Sequence, residues 1–290
     1  MRRFACADDP NKVMVVERHR DVLVADRKSI DSIGYEDGLH DYVGDGMPGS
    51  IEGDINKIIE TPFSRSATWS KIENGGCASL DKADGLSIYG FARHLWRRNV
   101  AMLRFVEKEQ ARFLAGELDD LSDDERRMHE RIAQSPDNAH ELFRAGALDT
   151  QLPADAAAIN VMICRSPIAL RSSTNPMVVF SDPAAKSSLD DFFKSLRTWW
   201  LPLDHHWGAF IIAGGPPGFS VSDMPEDSAR VVNRLYVAQL IHGDARYMLG
   251  NDAWLERDLE YFEFALEQRT TRGFRYRATA PQPFGEGYGA

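Results

Sequence analysis

Residues 166–180, SPIALRSSTNPMVVF, place two short apolar runs, Ile168 to Leu170 and Met177 to Phe180, on either side of Ser172-Ser173-Thr174-Asn175-Pro176. Runs this short, rich in branched and aromatic side chains and bounded by turn formers, predict strands rather than helices. TWWLPL at 198–203 and WGAFIIA at 207–213 repeat the pattern downstream. Asparagine and proline suit a turn or a β-bulge. The interruption is therefore either a plain connection or a polar site held up by two strands, and both readings stay open.

Upstream of residue 165 the texture is helical, apart from one hairpin. KVMVVERHRDVLVAD at 12–26 predicts strands at 13–16 and 22–25 around Arg18-His19-Arg20. DYVGDGMPGS at 41–50 predicts a loop. Ser50 then offers a helix N-cap, and Ile51, Ile55, Ile58 and Ile59 follow at helical spacing until Pro62 interrupts. ENGG at 73–76 stops the next segment. A long helix is expected over 82–114, with Ile88, Phe91, Leu95, Met102 and Val106 on one stripe and Arg93, Arg97, Arg104 and Lys108 opposite. Ser122 and Glu125 have capping-box spacing, and Ser135-Pro136 and Leu152-Pro153 suit further helix starts.

After the strand region, GGPPGFS at 214–220 predicts a loop, and Pro225 precedes a helix through DSARVVNRLYVAQLIHGD. A short strand at RYML, a last helix over 251–268 and a Gly- and Pro-rich tail complete the chain. The order is hairpin, helices, strands, helices. Segregated order predicts an α+β fold: mostly helical, with a small mixed or antiparallel sheet formed by the N-terminal hairpin and strands within 166–250. One domain is expected over 1–270, with a flexible tail at 271–290.

The 290 residues are 43% hydrophobic and 27% charged, enough to bury a real core. A net charge of −10 argues against a whole-protein grip on nucleic acid, leaving only the local basic face Arg93, Arg97, Arg104, Lys108 for that role. Glu107 and Glu109 dilute it, and a solvated face is the plainer account. No run approaches the roughly 18 apolar residues of a membrane helix. MRRFACADDP lacks the apolar core of a secretory signal. A soluble cytoplasmic protein is expected. Cys6, Cys77 and Cys164 are far apart and in no C-x-x-C pattern, so Cys164 reads as a small buried thiol.

The sequence has no P-loop, no G-x-G-x-x-G opening a helix after a strand, no H-E-x-x-H and no G-x-S-x-G. Two prolines in GGPPG remove donors a phosphate cradle would use. Asp204-His205-His206 draws attention as a metal site. On a strand, only Asp204 and His206 would share a face, and a polar strand end is the plainer account. His94, His129, His140 and His242 have no partner histidine at i, i+4 and read as surface or satisfied core residues. Glu52 and Glu60 lie about 80° apart on an ideal helix. A buried pairing of either with Arg97 suits a catalytic site or a structural clamp.

Several of these pieces, in order, resemble the uncharacterised family catalogued as domain of unknown function 4238, over most of the chain to about residue 250. MRRFA is similar to the end of that family's opening segment, without its preceding histidine. SIGYED near Tyr35 resembles the segment after its opening hairpin. SIEGDINKIIE resembles its paired-glutamate helix, with Glu52 and Glu60 in place. FARHLWRRN resembles its Q-x-x-R helix, with Arg97 at the arginine and His94 for the glutamine. RSSTNPMVV resembles its S-D-x-P strand-turn motif with Thr174 for the aspartate, LPLDHH its following strand, and VVNRLYVAQ its late helix with Asn233. The resemblance implies an α+β, largely helical fold and no established reaction.

Two functions follow as expectations. One is a non-catalytic binding or interaction protein, taking a small molecule or a protein partner, in which Glu52, Glu60 and Arg97 lock helices together. The other is a hydrolase or nuclease-like enzyme whose catalytic residues are Glu52, Glu60, Arg97, Ser173 and Asn175, with Arg93, Thr174, Asp204, His206 and Asn233 binding ligand. In the second, the carboxylates could hold a divalent metal or act as acid and base, and Arg97 would take an anionic group. The sequence identifies no other cofactor.

Overall fold

A computed structural model describes residues 4–6, 8–20, 22–33, 41–44, 47–117, 121–134, 138–150, 152, 159–181, 196–213, 216–242 and 245–250. The expected last helix at 251–268 and tail at 271–290 lie outside the described residues. So do the proline-headed starts at 135–136 and 153.

The N-terminal hairpin is longer than its apolar runs. β1 (Lys12–His19) and β2 (Val22–Ser29) pair from Lys12↔Ser29 to His19↔Val22, turning at Arg20, whose φ is 55°. The GDG-containing stretch expected as a loop is instead a small ladder of β3 (Asp41–Gly44) and β4 (Met47–Ser50). A helical run follows as α1 (Glu52–Ile55), a π-helical segment Asn56–Glu60, and α2 (Thr61–Ser64). Pro62 has no N–H to give to the Ile58 carbonyl, and the widened turn accommodates this: the Thr61 N–H reaches back to Asn56. Widening shifts the helical phase. Ile55 is fully buried, but Ile58, which the α-helical count put on the same stripe, stands 47% exposed.

Four longer helices and a short one build the helical layer. α3 (Ala67–Glu73) is capped by Ser66, and α4 (Lys82–Arg97) opens on a capping box of Asp81 and Asp84. Asp84 also accepts from the Thr68 hydroxyl at 2.7 Å and the Lys71 ammonium at 2.6 Å, tying α3 to α4. The continuous helix expected over 82–114 is broken. α4 stops at Arg97, Asn99 takes an extended backbone and caps α5 (Val100–Leu114), its Oδ1 accepting from the Met102 N–H at 2.8 Å. Arg93 and Arg97 thus sit on one helix, Arg104 and Lys108 on another. α6 (Asp123–Ala133) and α7 (Asn138–Leu148) complete the layer.

Apart from the β3–β4 ladder, the described strands divide into two sheets rather than the single one expected. β5 (Ile159–Arg165), β7 (Val178–Ser181), β8 (Leu196–Pro202), β9 (Trp207–Ala213) and β10 (Gly218–Asp223) form a mixed sheet in the order β10-β5-β9-β8-β7, parallel only between β10 and β5. Two of its strands were unexpected: β5 lies before residue 165, and β10 takes residues assigned to the GGPPGFS loop. β6 (Ser172–Ser173) and β11 (Tyr247–Gly250) join the hairpin as β2-β1-β11-β6, antiparallel throughout.

Strand alternation sorts the core into layers. On one face of the five-stranded sheet, Ile159, Val161, Ile163, Trp199, Leu201, Ala209 and Ile211 pack against α4 and α5. On the other, Cys164, Trp200 and Phe210 pack against α8 (Glu226–His242). Val16 and Met248 of the four-stranded sheet join that same cluster, so α8 runs between the two sheets and is buried almost all round. Val13, Val15, Tyr247 and Leu249 face the opposite way and are covered by Phe4 and Ile33. The α+β class is as expected. No helix among the described residues is long and apolar enough to cross a membrane.

Candidate functional site

Residues 169–177 leave the five-stranded sheet after β5 and lead back into it at β7, and between them only Ser172 and Ser173 join a ladder, that of the four-stranded sheet. Leu170, Arg171, Ser172, Ser173 and Asn175 are nonetheless all buried. Buried backbone without a ladder needs other hydrogen-bond partners, and α8 supplies them. Asn233, Tyr236 and Gln239, three residues apart, project from one side of the helix. Asn233 Oδ1 accepts from the Arg171 N–H at 2.8 Å, and its Nδ2 donates to the Ala169 carbonyl at 2.9 Å. The Tyr236 hydroxyl donates to the Pro176 carbonyl at 2.8 Å, and Gln239 Nε2 to the Met177 carbonyl at 3.3 Å. Burial pushes the Tyr236 phenol well above its ordinary pKa.

Ser173, the candidate nucleophile, is 2% exposed. Its hydroxyl accepts from the Asn175 N–H at 3.0 Å and lies 2.6 Å from both the Asn175 carbonyl and Gln239 Oε1. One proton serves those two acceptors. None of these partners is a base able to activate a hydroxyl. Thr174 joins the turn to the start of β11: its Oγ1 accepts from the Arg246 N–H at 3.0 Å and the Tyr247 N–H at 3.3 Å, and its own N–H donates to the Tyr247 carbonyl at 2.9 Å. An aspartate there could accept the same two bonds, so the threonine does the work of a turn residue.

The second group of candidates meets at the α4–α5 corner, where three consecutive residues each reach a different element. Arg97 pairs with Asp149 just beyond α7. Arg98, not Arg97, pairs with Glu60 at the end of the π segment. Asn99 Nδ2 donates to Asn175 Oδ1 at 3.1 Å. The expected carboxylate–Arg97 clamp is therefore shifted by one residue for Glu60, because the helix ends between the two arginines. Both ion pairs are roughly a quarter to a third exposed on at least one side, and pairs of this kind contribute only about 1 kcal/mol or less. Glu52 sits half-buried in the first turn of α1, where its N–H meets Ser50 Oγ at 3.4 Å.

The remaining candidates are dispersed. Arg93 lies over the Tyr89 ring at 5.8 Å. Asp204 is buried in the tight turn between β8 and β9, its Oδ1 accepting from the His206 and Trp207 N–H groups at 2.7 and 2.8 Å. His206 is exposed, and its carbonyl accepts from the Ser166 N–H. Among the described residues, no three His, Cys, Asp or Glu side chains converge into a set able to hold a metal ion. Cys164 is buried, and burial pushes its thiol up, opposed by the Ser222 hydroxyl.

The sequence singled out Ser173, Asn175, Asn233, Glu60 and Arg97 as candidates but not the residues beside them in the structure, Gln239, Tyr236, Asn99, Arg98 and Asp149. One signal was readable: Asn233, Tyr236 and Gln239, three polar-tipped residues at spacing three among the apolar residues Val231, Val232, Leu235, Val237, Leu240 and Ile241. No family model matches the chain, and no curated protein or solved structure matches it.

Proposed function

We propose that the chain is a non-catalytic binding or interaction protein, acting in the cytoplasm, in which residues 169–177 are a structural splice between two sheets. The observation that carries this reading is the use of the polar atoms. The Ser173 hydroxyl and the Asn233, Tyr236 and Gln239 side chains all bond the splice, most of them to its own backbone. Groups held this way maintain a fold; a nucleophile must reach a substrate, and Ser173 is buried. In the same reading, Glu60–Arg98 and Arg97–Asp149 lock the helical layer at its corner.

The sign of a stability change tests the assignment. Removing a catalytic polar group commonly leaves stability unchanged or raises it, whereas removing a structural one lowers it. Ser173→Ala is expected to lower the Tm, and purified protein is expected to show no hydrolysis of phosphodiester or ester substrates with added magnesium or manganese. An unchanged or raised Tm in Ser173→Ala, or metal-dependent hydrolysis that Glu60→Ala abolishes, would overturn the reading.

One observation favours the second function, a hydrolase or nuclease-like enzyme. Arg97, Arg98 and Asn99 are adjacent and bring Asp149, Glu60 and Asn175 to one corner, the mixture of carboxylates and arginines that phosphoryl chemistry uses. The hydrolysis assay with Glu60→Ala decides between the two.

A further inference from the structure

The hairpin leaves β2 at the edge of its sheet, with no described strand on its outer side. Edge strands are normally short, charged or covered, because open N–H and C=O groups recruit another strand. β2 is eight residues long and free of proline, and two of the few exposed large apolar side chains lie on it: Val22 at 59% and Val24 at 44%.

The turn fixes which backbone groups are open. His19 faces Val22 across a two-residue turn, so even-numbered residues of β2 direct their N–H and C=O to β1. The Ile30 N–H, bonded to the Asn11 carbonyl at 3.0 Å, continues that parity. Leu23, Ala25 and Arg27 consequently direct theirs outward. At Arg27 the edge is closed, since its N–H donates to Asp26 Oδ1 at 2.8 Å. What remains open is the apolar end, at Leu23 and Ala25.

We propose that this end pairs antiparallel with β2 of a second copy across a two-fold axis at Leu23, merging the two four-stranded sheets into one. The side chains choose that register. With Leu23 facing the partner's Leu23, each Val22 lies opposite the partner's Val24. Apolar pairs stabilise such cross-strand positions. Moving the axis to Asp26 sets two aspartates against each other. Moving it to Ala25 sets Val24 against Asp26 and Val22 against Lys28, and moving it to Val24 sets Val22 against Asp26. A contact of about five residues per chain falls below the roughly 1,000 Å² of a permanent interface, so the dimer is weak and concentration-dependent.

Sedimentation velocity of the full chain over a range of concentrations, together with Leu23→Cys under mild oxidation, tests this. Facing residues in a hydrogen-bonded antiparallel pair have Cα atoms about 5.5 Å apart, inside the roughly 4.4–6.8 Å range of disulfides. Leu23→Cys is expected to form a disulfide-linked dimer. Ala25→Cys, displaced from its own mate by about 13 Å at strand rise, is expected to stay at background, which is low because Cys6, Cys77 and Cys164 are all buried. The wild-type chain is expected to shift from monomer to dimer with concentration, and Val24→Lys, at an exposed position, to remain monomeric. A wild-type monomer throughout with no linkage of Leu23→Cys above the Ala25→Cys control would overturn the proposal. So would a ladder of larger species, preferential linkage of Ala25→Cys, capture of a different polypeptide in place of a second copy, or undiminished association of Val24→Lys.

Discussion

Asn233→Leu isolates the contribution of one side chain to the splice. The substitution keeps the approximate volume of a residue that is 5% exposed and removes both of its bonds. The Arg171 N–H loses its acceptor at 2.8 Å and the Ala169 carbonyl its donor at 2.9 Å. The Arg171 N–H is buried, and a buried backbone group left without a partner costs about 1–3 kcal/mol; the part-buried Ala169 carbonyl adds less, because water can reach it. Against a total stability of about 5–15 kcal/mol, that is a large loss. Urea denaturation followed by tryptophan fluorescence measures it, since Trp199 and Trp200 are buried in the clusters the splice borders. Asn233→Ala is expected to lose less than Asn233→Leu, because the vacated space admits a water that bonds both groups. A loss below about 1 kcal/mol in Asn233→Leu, comparable to a surface substitution, would refute the reasoning that α8 holds the splice by these bonds.

Asn99→Ala is expected to cost about 1 kcal/mol for the lost α5 cap, plus the bond to Asn175; Asn99→Asp, which retains a capping oxygen, is expected to recover most of the cap contribution in the same denaturation assay. Gly208→Ala would place a Cβ 2.1 Å from Cη2 of the fully buried Trp200, and overpacking of this kind costs about 1–3 kcal/mol or more; near-ultraviolet circular dichroism should report a disturbed tryptophan environment. Burial alone would raise the Asp84 pKa, but the Lys71 ammonium and Thr68 hydroxyl outweigh it and hold the carboxyl below its ordinary value. A depressed folded-state pKa contributes stability that is present above the unfolded carboxylate pKa and lost as pH falls through the folded one. Asp84→Asn is therefore expected to lower the Tm at neutral pH and to flatten its decline on the acid side of pH 4, as followed by thermal melts across pH.

How much of this was legible depended on range. The hairpin, the start of α6 after Ser122, the strands at 178, 198 and 207, the helix after Pro225 and the strand at RYML were readable, because each is set by local periodicity and turn chemistry. The break at Arg98 and Asn99 was not, since no glycine or proline marks it and the apolar stripe runs on through it. Its cause is long-range: the Asn99 side chain both caps α5 and reaches Asn175. The phase shift at Ile58 follows from Pro62, which was seen as a kink but not as a widened turn. β5 looked like a helix continuation because INVMICR is a short apolar run, ambiguous between a strand and a buried helix by period alone. The candidate residues were picked out by chemistry, as polar groups on apolar scaffolds. Their partners were not, because pairings such as Ser173 with Gln239, 66 residues apart, are properties of the packed layers.

Native-state hydrogen exchange at the Arg171 and Asn175 amides tests the central claim most directly. Both N–H groups are held by side chains rather than by a strand ladder. If the polar residues of the splice are structural, these two amides exchange as slowly as those of the central strand β9. Exchange as fast as at the open edge of β2 would mean that the splice opens independently of the core, and would contradict the account.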